Sequence, residues 1–142
     1  MLWITRAHVH VDRVACPWLI KRFIDSDAGF LYVAASLVDE TAKETGGIPF
    51  DAPGVELGHH EGKCSFEALI SKYGLKDQAL LRMARIVHCA DIGDDIDQDP
   101  IARGLEAIAE GFRLRYVDDE ENVAMQFEVY DALYAWCKTQ TK

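Results

Sequence analysis

The chain has 142 residues, of which 49% are hydrophobic and 27% charged, and its formal net charge is −9 at pH 7. This length and hydrophobic content fit one compact domain, residues 1–142, with a core of its own. The acidic balance argues against a nucleic-acid partner, because Arg and Lys are scattered and form no basic patch. No stretch approaches the ~18 apolar residues of a membrane span, and no apolar secretory signal opens the chain, so no membrane partner is expected.

The four cysteines, Cys16, Cys64, Cys89 and Cys137, are spread along the chain without CxxC spacing. Paired spacing of that kind is typical of zinc sites and redox dithiols. Its absence from the sequence favours ordinary reduced thiols and predicts a cytoplasmic location.

Strand and helix patterns alternate in the first half of the chain. Alternating or continuous apolar runs predict strands, and an apolar stripe at helical spacing predicts a helix. The predicted strands are residues 3–11, 30–34 and 55–60, and the predicted helices are residues 17–24 and 36–44.

Helical patterns dominate the second half. A helix is predicted over residues 65–73, another starts at Asp77, and two longer ones finish the chain. The sequence therefore predicts an α/β fold with a small mixed sheet of about three strands and five to six helices. The C-terminal half is predicted to be rich in helix.

Charged and nucleophilic side chains precede the first predicted helix. Pro17 fits the first turn of a helix, because its missing N–H would have no partner there. Cys16 would then lie near the positive helix end, where a thiolate and bound anions are favoured, with Asp12 and Arg13 just upstream. The alternative is an inert Cys16 packed beneath Trp18.

Residues 59–67 are dense in possible metal ligands. His59 and His60 end the predicted third strand, and Glu67 falls in the first turn of the next helix. A metal could draw on these residues. Alternatively, Glu67 only complements the helix dipole while the histidines face water.

His88 and Asp91 are three residues apart, so both project from one face of the predicted helix. This geometry suits two ligands of one ion, or an Asp that orients a His. The alternative is a histidine that the dipole favours at a helix C-terminus.

Several segments together resemble the chromate-resistance ChrB family. They are residues 5–6, residues 12–25 with the sequence Asp12-Arg13-Val14-Ala15-Cys16-Pro17-Trp18-Leu19-Ile20, and residues 47–51, 59–67, 86–91 and 130–137. The resemblance spans nearly the whole chain and implies a stand-alone counterpart of the C-terminal domain of that family. Longer members carry an N-terminal region linked to DNA binding, so no nucleic-acid partner is expected for this domain alone.

The resemblance implies one metal site built from His59, Glu67, His88 and Asp91. Mixed nitrogen and oxygen ligands suit Mn, Fe or Zn, and a thiolate from Cys64 would favour zinc. The residues expected to bind the substrate are Arg6, Arg13, Trp18 and His60, and those expected to take part in catalysis are Asp12, Arg13 and Cys16.

The resulting hypothesis is a metal-dependent redox enzyme that acts on chromate or a related oxyanion. Cys16 or an external thiol such as glutathione would supply the electrons. The alternative is a non-catalytic sensor of an oxyanion or a metal. A homo-oligomer is also possible, because Tyr134 and Trp136 lie on a second face of the last helix.

Overall fold

The computed structural model describes residues 1–141 and places three short strands in one sheet. They are β1 (Leu2–Arg6), β2 (Gly29–Val33) and β3 (Ile48–Pro49), in the order β2-β1-β3. The predicted α/β class and strand number are confirmed. Both pairings are parallel, whereas a mixed sheet was predicted, because a helical crossover returns the chain before each new strand.

Within residues 1–141 the sheet is accompanied by six α-helices, in agreement with the predicted number and with the helix-rich C-terminal half. They are α1 (Val11–Leu19), α2 (Val38–Thr45), α3 (Ser65–Lys72), α4 (Gln78–Asp91), α5 (Ala102–Arg115) and α6 (Asp119–Gln140). A π-helical turn, Ile20–Ile24, extends α1, and short 3-10 helices cover Ala35–Leu37 and Gly93–Gln98.

The first helix begins six residues earlier than the sequence predicted, at Val11, and β1 ends at Arg6. Pro17 is therefore inside α1 and not in its first turn, where it removes one helical hydrogen bond. Burial outweighs this cost, because nearly the whole helix is packed in the core. Directly after α1, the π-helical turn has hydrogen bonds between residues five apart, and the N–H of Asp25 donates to the carbonyl of Ile20 at 2.7 Å.

The third strand was predicted at residues 55–60, and this is wrong. That segment consists of turns, and β3 lies instead at Ile48–Pro49, paired with Trp3 and Ile4 of β1. Gly47 allows this pairing, because a Cβ at residue 47 would lie 2.7 Å from Cδ1 of Ile4. The close backbone approach, and not a long apolar run, specifies the strand.

The core lies between the sheet, α1 and the face of α4 that packs on α1, α3, α5 and α6. Its largest fully buried side chains are Trp3, Trp18, Tyr130, Phe50 and Phe66. All four cysteines are buried free thiols. Within residues 1–141, none of the helices combines the length and apolar character that crossing a membrane requires.

Candidate functional site

The carboxyl ends of β1 and β3 place Arg6 and Asp51 side by side. Ligands of parallel α/β proteins bind at this edge of the sheet. Asp51 is buried, has a left-handed backbone with φ of 45°, and accepts a 2.8 Å hydrogen bond from the Ser65 hydroxyl. Two guanidinium groups face its carboxylate, Arg6 Nη2 at 3.7 Å and Arg13 Nε at 3.8 Å. Burial, followed by the charge of Asp12, raises the pKa of Asp51.

Asp12, in the first turn of α1, joins that helix to the start of α3. Its side chain is 1% exposed and accepts hydrogen bonds from the N–H groups of Ser65 at 2.7 Å and Phe66 at 3.1 Å. These donors are otherwise unpaired at a helix N-terminus, and the helix dipole stabilises the negative charge. Asp12 is therefore held in one orientation by the backbone of α3.

His59 lies in the turn region after β3 and faces three carboxylates. Its Nε2 is 2.9 Å from Asp91 Oδ2, 3.4 Å from Asp12 Oδ2 and 3.5 Å from Asp51 Oδ1. The interaction with Asp12, reinforced by the other two carboxylates, raises the pKa of His59 to about 9. The imidazole is 45% exposed, so solvent reaches the ring while the carboxylates stay buried.

Asp91, at the end of α4, contributes a buried oxygen without a hydrogen bond. Its Oδ2 lies close to His59, but among the described residues no donor meets it in hydrogen-bonding geometry. Burial, together with the negative charges of Asp12 and Asp51, raises the pKa of Asp91 to about 7. An unpaired buried carboxylate oxygen is costly unless a cation or water satisfies it.

Asp12, His59 and Asp91 form what we call the first cluster. Each offers one ligand atom, and these atoms lie within 4.8 Å of one another. Two carboxylates and one imidazole fit a divalent transition metal, and an ion at this point would replace the proton of His59 Nε2, which lies 2.9 Å from Asp91 Oδ2. Beside the cluster lies a cavity of about 210 Å³, lined by Arg6, Asp51, Ala52, Pro53, Gly54 and His59.

Cys64, Glu67 and His88 form the second cluster, with ligand atoms again within 4.8 Å of one another. His88 Nδ1 lies 2.6 Å from Glu67 Oε1, and its Nε2 lies 2.6 Å from Asp95 Oδ2. Burial opposes protonation, but the hydrogen bonds to Asp95 and Glu67 raise the pKa of His88. The four predicted metal ligands are thus divided, His59 and Asp91 in the first cluster, Glu67 and His88 in the second.

Cys16 lies in the middle of α1 and is 0% exposed, so no substrate in solvent reaches its thiol. Its Sγ donates to Asp12 Oδ1 at 3.4 Å, and burial raises the pKa of the thiol well above its ordinary value. The inert alternative fits this placement. A catalytic role for Cys16 stays a prediction that its burial does not support.

Two residues predicted to bind substrate lie outside both clusters. Trp18 is buried, and its Nε1 donates to Asp131 Oδ1 on α6 at 2.7 Å. His60 is exposed, and its ring nitrogen lies 2.7 Å from the carbonyl of Val55. Arg6 and Arg13, by contrast, are both at the first cluster, as their predicted role requires.

The sequence did not indicate Asp51 or Asp95 as site residues. Asp51 lies in a stretch that resembles a loop, and it gains its position only because Ile48–Pro49 pairs with β1. Asp95 lies in an acidic segment, where one carboxylate cannot be told from its neighbours until the 3-10 helix Gly93–Gln98 packs on α4.

The fold and the first cluster define a class of protein. It is a small parallel α/β domain with a carboxylate–histidine centre and two arginines at the carboxyl edge of its sheet. Residues 3–137 match the family described as ChrB, C-terminal domain, and the chain belongs to that family.

The chain is also 38% identical over 135 residues to Protein ChrB of Cupriavidus metallidurans. The match covers 93% of this chain but only 39% of the length of that relative. A comparison with solved structures finds no significant match. The family resemblance noted in the sequence is thereby confirmed.

Proposed function

We propose that this domain acts in chromate resistance by holding a divalent transition metal at the first cluster, beside a pocket for an oxyanion. The observation that carries the proposal is the convergence of Asp12, His59 and Asp91 on one point, where a buried oxygen of Asp91 lies 2.9 Å from His59 Nε2 without a hydrogen bond in good geometry. Membership of the ChrB family supports the link to chromate. Mn, Fe and Zn all accept this mixture of oxygen and nitrogen ligands.

Three residues would hold the ion, and each is positioned by its own element. Asp12 is fixed by the N–H groups at the start of α3, and Asp91 ends α4. His59 approaches from the turn region and leaves one side of the site open to solvent. A metal bound there would act as a Lewis acid toward an oxyanion in the adjoining cavity.

The oxyanion pocket is defined by charge. Arg6 and Arg13 are two positive groups, and both face the single carboxylate of Asp51. With the His59 imidazolium, these guanidinium groups face three carboxylates, those of Asp12, Asp51 and Asp91, so the charges nearly balance, and a bound divalent ion would add positive charge beside the 210 Å³ cavity that Arg6 and His59 line. Guanidinium groups bind tetrahedral oxyanions by paired, charge-assisted hydrogen bonds, so chromate fits the pocket in charge and shape.

In the catalytic form of the proposal, the electrons come from an external thiol such as glutathione. The four cysteines of the chain are all buried, so none meets a substrate in the cavity. Each disulfide that forms from two external thiols releases two electrons and two protons. Chromium(VI) takes three electrons to reach chromium(III), so two chromate ions would consume six thiols and give three disulfides. The six thiol protons and ten protons from solvent would convert the eight chromate oxygens to water.

A sensor without turnover is the second candidate, and the buried thiols favour it. The chain offers no exposed thiol within residues 1–141, while the arginine pocket needs none to bind an oxyanion. Binding alone would then be the signal.

Metal analysis after supplementation with Mn²⁺, Fe²⁺ and Zn²⁺ tests the proposal. Asp91→Asn and His59→Asn should each lose one equivalent of metal relative to the parent chain. His60→Asn is the matched control, since His60 lies next to His59 but outside both clusters. Equal metal content in all three variants and the parent would overturn the first cluster as a metal site.

Chromate consumption with glutathione then separates the two candidates. Metal-dependent loss of chromate, abolished in Asp91→Asn and retained in His60→Asn, supports the enzyme. Saturable chromate binding without consumption supports the sensor. Neither binding nor consumption would refute both.

A further inference from the structure

We propose that the second cluster is a separate metal site, formed by Cys64, Glu67 and His88 and selective for a thiolate-binding divalent cation such as Zn²⁺. The proposal goes beyond the function above, which uses the first cluster alone. It rests on the ligand geometry, on the residues behind His88 and on a path from solvent.

The three ligands come from two elements that pack on each other. Cys64 immediately precedes α3, Glu67 is in the first turn of α3, and His88 is in the last turn of α4. They supply one sulfur, one oxygen and one nitrogen atom, all within 4.8 Å of one another. Three protein ligands with an open fourth position are a common arrangement around Zn²⁺.

Glu67 and His88 are in direct contact, with 2.6 Å between Oε1 and Nδ1. Two ligands of a tetrahedral zinc ion, each about 2.0–2.1 Å from the metal, are roughly 3.3 Å apart. The two side chains therefore need to separate by less than ~1 Å to admit the ion. Glu67 is the ligand that would move, since it is only partly buried and its Oε1 is otherwise held by one hydrogen bond, from the N–H of Cys64 at 3.0 Å, whereas Cys64 is fully buried.

The far side of His88 carries the support that metal-bound histidines typically have. Its Nε2 faces Asp95 Oδ2 at 2.6 Å, so the ring is oriented with Nδ1 toward Glu67. Asp95 Oδ1 in turn accepts from Gln98 at 2.8 Å, and Gln98 accepts from Arg85 at 2.6 Å. A carboxylate on the second ring nitrogen fixes the tautomer and increases the basicity of the metal-binding nitrogen.

A cavity of about 310 Å³ opens to solvent beside Glu67, at the edge of this cluster. Glu67 lines it, together with Lys63 and Arg85, while the ring of His88 is buried. The cavity gives an ion a route from solvent to Glu67, the ligand at the edge of the cluster. A ligand set, an oriented histidine and an entry path are the features that a metal site requires.

The ligand chemistry separates this site from the first cluster. The first cluster offers two carboxylates and an imidazole, whereas the second includes a thiol. Thiolate ligands favour Zn²⁺, and oxygen-rich sites favour Mn²⁺ and Mg²⁺. The two clusters are neighbours in space, because Asp12 accepts a hydrogen bond from the N–H of Ser65, directly after Cys64.

Titration with Co²⁺, a spectroscopic substitute for Zn²⁺, tests the proposal. The parent chain should develop a thiolate-to-cobalt charge-transfer band in the near ultraviolet, and Zn²⁺ should remove the band while Mn²⁺ should not. Cys64→Ser should lose the band. Cys137→Ser should keep it, because Cys137 is an equally buried thiol on α6 and belongs to neither cluster.

Two further variants keep the test decisive if Cys64→Ser fails to fold. Glu67→Gln should retain the band but weaken Co²⁺ binding by about tenfold or more. His59→Asn should retain the band at full affinity, so failure of the first cluster as a metal site would leave this result unchanged. No charge-transfer band in the parent chain, or a band that survives Cys64→Ser, would overturn the proposal.

Discussion

Asp12 connects the stability of the fold with the composition of the first cluster. Its carboxylate binds two N–H groups at the start of α3 and lies 3.4 Å from His59 Nε2. The same side chain would thus be a metal ligand and the cap of a helix. Substitution at this position is expected to alter both properties together.

Asp12→Asn should lower the free energy of unfolding by about 2 kcal/mol, because an amide has one acceptor oxygen and its NH₂ group would face a backbone donor. Denaturant titration with a constant m-value measures the change. Asp39→Asn, at an exposed position in the first turn of α2, is the control and should change stability by less than ~0.5 kcal/mol. Equal effects of the two substitutions would contradict the capping role.

Arg6→Gln should weaken chromate binding by about tenfold, because one charge-assisted contact in the oxyanion pocket is lost. Isothermal titration with chromate measures the affinity. Arg113→Gln removes the same charge from the surface of α5, where the side chain pairs with Glu110, and should leave the affinity within about twofold. A similar loss in both variants would mean that net charge, and not the pocket, attracts the anion.

At the scale of elements, β3 depends on one glycine. Gly47→Ala should destabilise the fold by about 1–2 kcal/mol, because the new Cβ would meet Cδ1 of buried Ile4 at 2.7 Å and the carbonyl of Leu2 at 3.1 Å. Thermal unfolding followed by circular dichroism measures the shift.

Gly104→Ala is the matched substitution with the opposite expected sign. It lies inside α5 with no atom within 4 Å of the added Cβ, so it should stabilise the fold by about 0.5–1 kcal/mol. If Gly47→Ala and Gly104→Ala destabilised the fold equally, the close backbone approach at β3 would not explain the effect of Gly47→Ala.

Local sequence patterns correctly predicted helix ends that are set by neighbouring residues. Asp77 caps α4 by accepting from the N–H of Ala79 and Leu80, and the predicted helix start there is confirmed. Pro17 misled the prediction for α1, because the preference of proline for a first turn is weaker than the packing of Val11 and Val14 in the core. The two-residue strand β3 carries no pattern long enough to recognise.

At the scale of the whole molecule, α6 holds α1 and the turn after it in place through hydrogen bonds to Asp131 and through packed aromatic rings. Asp131 accepts from Trp18 Nε1 at 2.7 Å and from two nitrogens of Arg22 at 3.0 and 2.9 Å. The Trp18 ring also packs against Tyr134, with 5.6 Å between ring centroids. The last helix therefore fixes the helix that carries Asp12 and Arg13.

Asp131→Asn should lower the free energy of unfolding by about 1 kcal/mol near neutral pH. The hydrogen bonds from Arg22, followed by that from Trp18, hold the pKa of Asp131 below its usual range. A carboxyl group whose pKa is lowered by folding stabilises the fold at pH values above its ordinary pKa. This stabilisation is lost as the pH falls through the lowered pKa of the folded state.

The difference in free energy of unfolding between the parent chain and Asp131→Asn should therefore become smaller below about pH 4. Urea unfolding across a pH series measures it. Glu128→Gln, an exposed carboxylate one turn earlier on α6, is the control and should show little difference at any pH. If the difference in free energy between the parent chain and Asp131→Asn stayed constant at acidic pH, the lowered pKa of Asp131 would not be its cause.

The division of the four predicted ligands between two clusters is a property of the whole molecule that the sequence could not reveal. His88 and Asp91 were correctly placed on one helix end, since both lie in the last turn of α4. Which partner each one meets depends on where α1 and α3 dock, and that docking is fixed by contacts far apart in sequence, such as Ser65 with Asp12. The residue types indicated which side chains could be metal ligands, whereas tertiary packing decides which of these side chains lie together.

Asp119, at the start of α6, accepts hydrogen bonds from the N–H groups of His8 at 3.0 Å and Val9 at 2.9 Å. Residues 8 and 9 join Arg6 to α1, so the segment that carries both arginines is secured by a residue made more than a hundred positions later. During synthesis on the ribosome, the pocket would take its final shape only after α6 has emerged. A nascent chain that lacks α6 is thus expected to have no working oxyanion pocket.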